Sequence, residues 1–467
     1  MWRIGWVLLV GCGPGAATLD RPSTPQDTAP AATGPENVLI IVLDDIGLDK
    51  VGAYGMHPDP PSTPTLDQLA AEGVRFTHAY AHPTCTPTRA ALLTGQYASR
   101  AGLGTWSDPW SDLAELDTAS ITLPRVLHGA SEHVWSNAAV GKWHVGSFLR
   151  RDPGAHPLEA GFSTHRGSLA NPHNAILNRD EPRDYLSWEK NVDGDLSLSE
   201  TYMTIDTVDE AIALAEELPE PWLLYVAFNA AHTPLHAPPA HLLDAPLPAD
   251  ATEADLFAAM VTALDTELAR MLVGIDLRTA APITTLVIGD NGTPTHAILP
   301  PLDPLRSKGT VAEGGVRVPL IVTGPRVGRP GAVSDAPVHV VDVLPTLAEI
   351  AGVDPTTLTD ERGEPWVLDG TSLLRALADP DWVGERLLYS EQFGPNGPPP
   401  WAWFGRTLRD DRYKLVQSAL GDALFRLGDG LDEGPELISG GLNAEEGAAL
   451  DGLRQAMEAM EAMDRRW

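Results

Sequence analysis

The chain has 467 residues, enough for a large α/β core with a second unit appended, and its ordinary apolar fraction of 43% sets disorder aside. Lys and Arg number 32 against 64 Asp and Glu, a net charge of -32 that repels phosphate backbones and excludes nucleic acid as a partner. The same charge repels anionic substrates at long range, so any anion site must carry its own local positive charge.

At the start, Arg3 precedes a short apolar run, too short to span a bilayer but suited to a signal peptide over residues 1–11. Leu9-Val10-Gly11-Cys12 is similar to a bacterial lipobox, in which cleavage before the cysteine is followed by its lipidation. This predicts an exported protein, periplasmic or at the cell surface, held to a membrane by a lipid anchor on Cys12. An ordinary signal peptide with a chance cysteine is the alternative. Residues 12–36, rich in Pro, Thr, Ala and Gly, read as a flexible tether. Cys12 and Cys85 are the only cysteines, so disulfides do not hold the fold together.

From residue 37 to about 385, short apolar runs alternate with helix-like stretches, which predicts a mixed α/β sheet with helices on both faces. Four runs end in polar residues. Val38–Leu43 leads to Asp44-Asp45, and Ala138–Val140 to Gly141-Lys142-Trp143-His144. Trp222–Phe228 leads to Asn229 and His232, and Thr284–Ile288 to Gly289-Asp290-Asn291. In open α/β sheets ligands bind beyond the carboxyl ends of the strands, so four such endings point to one shared site. A cluster of Pro and Gly near 380–400 marks a boundary, and residues 386–467 read as a small C-terminal α+β domain. Strand-like pieces are expected at Thr407–Gln417 and Ala423–Leu427. Asn443–Met463 is expected to form a helix with Leu450, Leu453, Met457 and Met460 on its packed face.

The most informative segment is Cys85-Thr86-Pro87-Thr88-Arg89, followed by Thr94-Gly95. Pro87 suits a first helical turn and the residues after Arg89 are good helix formers, which sets Cys85 at a helix N-terminus that favours an anion. Arg89, four residues on, shares that face. On the residues alone, Cys85 could also be a low-pKa thiolate nucleophile or an inert buried thiol. Asp44, Asp45, Asp290 and Asn291 offer only hard oxygen ligands, which suits calcium or, less well, magnesium, and argues against zinc or copper.

In these motifs the chain resembles the formylglycine-dependent sulfatases of the alkaline phosphatase superfamily. The resemblance implies an alkaline-phosphatase-like fold and a sulfuric ester hydrolase of arylsulfatase type. It implies that a maturase oxidises Cys85 to formylglycine, whose hydrate is the nucleophile. One calcium ion would be held by Asp44, Asp45, Asp290, Asn291 and the converted Cys85. Arg89 and Lys142 would help to hold the sulfate, His232 and Lys308 would act on the leaving oxygen, and His144 would help to release sulfate. Three acids, one calcium, Arg89, Lys142 and Lys308 leave the pocket at about plus two, the local field an anionic ester requires. Asn291, where two-zinc phosphatases carry histidine, favours sulfate over phosphate chemistry. A phosphonate or phosphate diester hydrolase on the same scaffold remains a rival, as does a non-catalytic lipoprotein that binds sulfated glycans if Cys85 stays unmodified. Of His57, His78, His82, His236 and His296, the resemblance assigns none, and His236 and His296 are the expected substrate contacts. The substrate is a sulfated small molecule or glycan, with specificity set by loops such as 147–200.

Overall fold

The computed structural model describes residues 35–128, 133–177, 180–428 and 430–463. The expected signal peptide, Cys12 and the tether up to residue 34 lie outside them. Glu36, assigned by sequence to the end of the tether, is instead 1% exposed, with its carboxylate accepting from Arg326 Nε at 2.6 Å and Thr284 Oγ1 at 3.1 Å. A buried, doubly paired carboxylate belongs to the folded unit, which therefore begins at or before residue 36.

Ten strands form the main sheet. They run Ala332–Ser334, Val74–Phe76, Leu320–Thr323, Ile283–Gly289, Asn37–Leu43, Trp222–Ala227, Ser136–Gly141, His165–Gly167, Trp188–Val192 and Asp195–Ser199. The middle of this order holds the four runs with polar endings: β1 (Asn37–Leu43), β2 (Ser136–Gly141), β3 (Trp222–Ala227) and β4 (Ile283–Gly289). All pairings among them are parallel. Val42 lies level with Ala227, Ala227 with Gly141, and Leu43 with Gly289, so the four strands end almost flush. Polar residues one to five positions later are thereby delivered to one edge.

Strand alternation explains the helices on both faces. Leu39, Ile41 and Leu43 pack into one buried cluster with α2 (Met203–Glu217) and α3 (Glu253–Asp276), while Val38, Ile40 and Val42 join another with α1 (Cys85–Thr94) and α4 (Val343–Ile350). β1 is thus buried at every position and apolar from Val38 to Leu43, the signature of a parallel strand covered on both sides. Gly141 closes β2 with φ 84°, and a Cβ there would lie 2.0 Å from the Ala227 carbonyl oxygen. Only glycine allows this approach, which lets Lys142 N–H donate to that same carbonyl at 2.7 Å and turns the following residues toward the site.

The C-terminal unit is an antiparallel sheet of Leu388–Gly394, Trp403–Arg409, Tyr413–Ser418 and Gly421–Arg426, with the helix Ala444–Met463 beside it. Leu450, Leu453 and Met457 are buried and Met460 is packed against them, in the cluster that also holds Leu408, Leu415 and Leu424. The stretch expected as one strand piece, Thr407–Gln417, is two strands. Asp410 breaks it by accepting the N–H groups of Arg412 at 2.8 Å and Tyr413 at 2.6 Å, a side-chain turn that competes with extended backbone. Leu388–Gly394 is a strand that the sequence did not reveal, because the Pro and Gly residues that follow it belong to the loop and dominate the local composition.

Candidate active site

Cys85 is the first residue of α1 and is 1% exposed, facing the end of β1. Its Sγ–H donates toward Asp44 Oδ1 at 3.5 Å and approaches Asp45 Oδ1 at 3.9 Å. Asp45 stands in the left-handed region, φ 65°, and its N–H donates to Asp290 Oδ1 at 3.2 Å. Ligand atoms of Asp44, Asp45, Cys85 and Asp290 all lie within 4.8 Å of one another, every residue buried. Asn291 Nδ2 donates to Asp45 Oδ1 at 2.9 Å and to the Gly292 carbonyl at 3.0 Å, while its buried Oδ1 has no hydrogen-bond partner among the described residues. Three buried carboxylates and an orphaned amide oxygen fit a hard divalent cation with oxygen ligands.

Positive charge closes this cage. Lys142 pairs with Asp44, and Lys308 pairs with Asp45. Arg89 is wholly buried and spends its guanidinium on the protein: Nε and Nη2 donate to Asp290 Oδ2 at 3.1 and 2.9 Å, Nη2 also to Asp44 Oδ2 at 3.0 Å, and Nη1 to the Lys142 carbonyl at 2.8 Å. The expectation that Arg89 helps to hold sulfate oxygens thus meets a guanidinium with partners among the site's own residues. It braces the carboxylates and ties α1 to the end of β2.

The electrostatics follow from burial and these charges. Burial, then the Asp290 and Asp44 carboxylates, push the Cys85 thiol well above its usual value. Burial also pushes Asp45 up, but Lys308, His232 and Lys142 outweigh it and hold that carboxyl well below its ordinary range. Burial and then Asp44 push Asp290 up to about 6. Lys308 is raised because Asp45, Cys85 and Asp44 outweigh its desolvation.

His144 follows β2 in a left-handed conformation, φ 59°, is 2% exposed, and has neither ring nitrogen partnered among the described residues. Burial, then Lys142 and Arg89, hold it well below its usual value. His232 Nδ1 lies 2.8 Å from the Thr233 carbonyl, so Nδ1–H donates and the neutral ring keeps its Nε2 lone pair. Burial, then Lys142 and Lys308, lower it to about 3.

The structure therefore brings Cys85, Arg89, Lys142, His144, His232, Lys308, Asp44, Asp45, Asp290 and Asn291 to one edge of the sheet. Of the expected histidine contacts, His236 has both ring nitrogens engaged, whereas His296 Nε2 is buried without a partner among the described residues. His236 Nε2 engages Tyr202 Oη at 3.0 Å, its Nδ1 engages the Pro234 carbonyl at 3.0 Å, and its ring lies against Tyr185 at 4.5 Å. His296 packs against Phe257 of α3, ring centroids 6.3 Å apart. His57, His78 and His82 engage the Pro300 carbonyl, Thr77 Oγ1 and the Glu391 carbonyl. Sequence reasoning missed Tyr185, which is 0% exposed and donates to the carbonyls of Asn229 at 2.5 Å and His232 at 2.7 Å, fixing the turn after β3. It sits in a loop with no motif, so nothing in the sequence marked it.

Comparison with known proteins places these features in context. The Sulfatase family profile matches residues 36–353. Arylsulfatase J of Mus musculus is 33% identical over 338 residues, covering 69% of this chain and 53% of that protein. N-acetylgalactosamine-6-sulfatase of Sus scrofa is 31% identical over 375 residues, covering 74% of this chain and 66% of that protein. The chain thus spans about half the length of the first relative and just under two thirds of the second. The crystal structure of Ps i-CgsB in complex with k-i-k-neocarrahexaose superposes with a TM-score of 0.75 at 24% identity, covering 92% of this chain and 93% of that one.

Proposed function

Because the chain belongs to the Sulfatase family, we propose that it hydrolyses sulfate esters, with Cys85 converted to formylglycine by a maturase and one calcium ion held by Asp44, Asp45, Asp290 and Asn291. One observation carries this reading. Cys85 lies inside a buried cage of oxygen ligands, 3.5 Å from Asp44 and 3.9 Å from Asp45, so a hydroxyl made at that position would stand beside the cation these oxygens would hold. When present, the aldehyde hydrate supplies the attacking hydroxyl and the cation supplies positive charge to the sulfate oxygens.

The chain's own residues then divide the remaining work. Lys142, beside Asp44, holds the sulfate end of the substrate. Asp290, with a carboxylate oxygen within 4.8 Å of Cys85 Sγ, is placed to accept a proton at position 85. His144, neutral and unpartnered, offers a ring nitrogen for the second proton at that position. Lys308 carries the charge that neutralises the leaving oxygen. His232 has Nδ1 committed to Thr233 and so presents an acceptor at Nε2, which orients the leaving side rather than protonating it. The names arylsulfatase J and N-acetylgalactosamine-6-sulfatase among the relatives support an aryl or carbohydrate sulfate as substrate. We further propose export with a lipid anchor at Cys12; a Cys12→Ser protein should then leave the membrane fraction or remain unprocessed.

The test is a parallel assay of nitrophenyl sulfate and nitrophenyl phosphate diesters with protein made alongside a maturase. Sulfate release should dominate, and a calcium chelator should suppress it. Preferential diester hydrolysis would move the chain to the phosphonate and phosphate hydrolases of the same scaffold.

A further inference from the structure

Asp49 is a buried acid, 2% exposed, that takes no part in the chemistry above. It lies in the turn after β1, and its carboxylate reaches across to the turn after β4. Asp49 Oδ1 accepts from Thr293 Oγ1 at 2.6 Å, and Thr293 Oγ1 accepts from Gly47 N–H at 3.2 Å. The direction of both bonds is fixed, because a backbone amide only donates and a carboxylate only accepts. No side chain fits at position 47, where a Cβ would lie 2.8 Å from Thr293 Oγ1 and 2.9 Å from Asp49 Oδ1. Asp49 Oδ2 lies 3.2 Å from Lys50 Nζ, which in turn donates to the Ala297 carbonyl at 2.7 Å. A charged group shielded from solvent thus locks the two turns together, and hydrogen bonds to ions are strong there.

The lock reaches Lys308. The Thr293 carbonyl accepts from Lys308 N–H at 3.0 Å. The next amide, Gly309 N–H, donates at 2.8 Å to the carbonyl of Pro83, just ahead of Cys85. The Lys308 backbone is therefore strung between the turn that Asp49 holds and the segment leading into α1. Its ammonium pairs with Asp45, on the same turn as Asp49. Both ends of this lysine are set by groups whose spacing depends on Thr293 and Asp49.

We propose that Asp49, acting through Thr293, is a positioning residue that sets Lys308 for the reaction. This rests on the sulfatase reading above. In that reaction the hydroxyl oxygen at position 85 bonds to sulfur and its proton goes to Asp290. The bond from sulfur to the ester oxygen breaks, and the electron pair stays on the departing oxygen, whose charge Lys308 neutralises. A displaced ammonium gives less of that help. Asp49→Asn keeps the shape but turns an amide nitrogen toward either the Thr293 hydroxyl or the Lys50 ammonium, both of them donors. Thr293→Val removes the link outright, and Thr293→Ser keeps it.

The experiment measures kcat/KM for a sugar sulfate and for nitrophenyl sulfate in wild type, these three variants, Lys308→Ala, and Asp49→Asn combined with Lys308→Ala. Asp49→Asn and Thr293→Val should show the same pattern over the two esters as Lys308→Ala, with about 10–100-fold lost on the ester that Lys308→Ala slows more. Thr293→Ser should stay within about threefold of wild type. Once Lys308 is absent, Asp49→Asn should cost less than about twofold more, since both changes act on one interaction. A full further loss in that background would make Asp49 merely structural and overturn the proposal. The Thr293 pair decides alone if Asp49→Asn does not fold, and equal kcat/KM for Thr293→Val and Thr293→Ser would overturn it too. In protein with Cys85 unconverted, the Lys308 amide should exchange its hydrogen faster in Thr293→Val than in wild type, and unchanged exchange would cut the link to Lys308. Wild-type protein inactive on both esters would instead sink the sulfatase reading, and this proposal with it.

Discussion

At the scale of single residues, the fold assigns Arg89 a task different from the one its spacing suggests. The i, i+4 relation sets it on the face of Cys85 and the resemblance implied a sulfate ligand, while its partners here are Asp44, Asp290 and the Lys142 carbonyl. Removing one member of a fully buried ion network leaves charges unpaired, at a cost of about 3–5 kcal/mol. Arg89→Ala should therefore lower stability by that order in denaturant unfolding. Arg89→Lys should recover little, because an ammonium cannot reproduce the planar fork. Loss of activity at unchanged stability would return Arg89 to the substrate. Lys308 makes the opposite case, since among the described residues its ammonium pairs with Asp45 alone and its side chain stays 18% exposed. A nitrophenolate departs without help, whereas a sugar alkoxide needs its charge neutralised. Lys308→Ala should slow sugar sulfates by roughly 10²–10⁴-fold and nitrophenyl sulfate far less. Equal losses on both would place Lys308 at the sulfate end.

At the scale of elements, the site was legible wherever a buried parallel strand ended in polar residues. β1, β3 and β4 read as near-continuous apolar runs, and the residues after them could be aligned without knowing the pairing. Flush register then did the rest, which is why Asp44, Lys142, His232 and Asp290 could be named together. Elements too short to carry a pattern hid the remainder. His165–Gly167 has only three residues, so the loop behind it offered no periodicity to anchor a reading. Leu388–Gly394 was masked by the Pro and Gly residues after it. The hydrogen bonds that occupy His236 depend on Tyr202, at the start of another helix, and no local spacing reports them.

At the scale of the whole molecule, a buried ion cluster joins the C-terminal sheet to the catalytic unit. Lys414 Nζ lies 2.9 Å from Glu313 Oε1 and 3.0 Å from Glu433 Oε1, and Glu313 follows Lys308 by five residues. Burial pushes Glu313 up, but Lys414, Arg409 and Arg317 outweigh it and hold its carboxyl at about 2, below an ordinary 4.5. A carboxyl depressed in the folded state stabilises fully above its unfolded value, and that stability is lost as pH falls toward the folded one. The protein should therefore lose on the order of 3 kcal/mol from this group between about pH 4.5 and 2. Glu313→Gln, though less stable at neutral pH, should show a shallower decline over that window in thermal unfolding. An unchanged slope would mean the cluster contributes nothing to the acid limb.

The cage around position 85 binds these scales together, because helix α1, the flush strand ends and the buried charges all converge on one side chain. Protein produced with a maturase, digested and weighed at the peptide carrying residue 85, tests that convergence directly. Conversion of cysteine to formylglycine predicts a loss of about 18 Da on that peptide, in a fraction that rises in step with sulfate release. A peptide at the full mass of unmodified cysteine in a preparation that still cleaves sulfate esters would contradict the account.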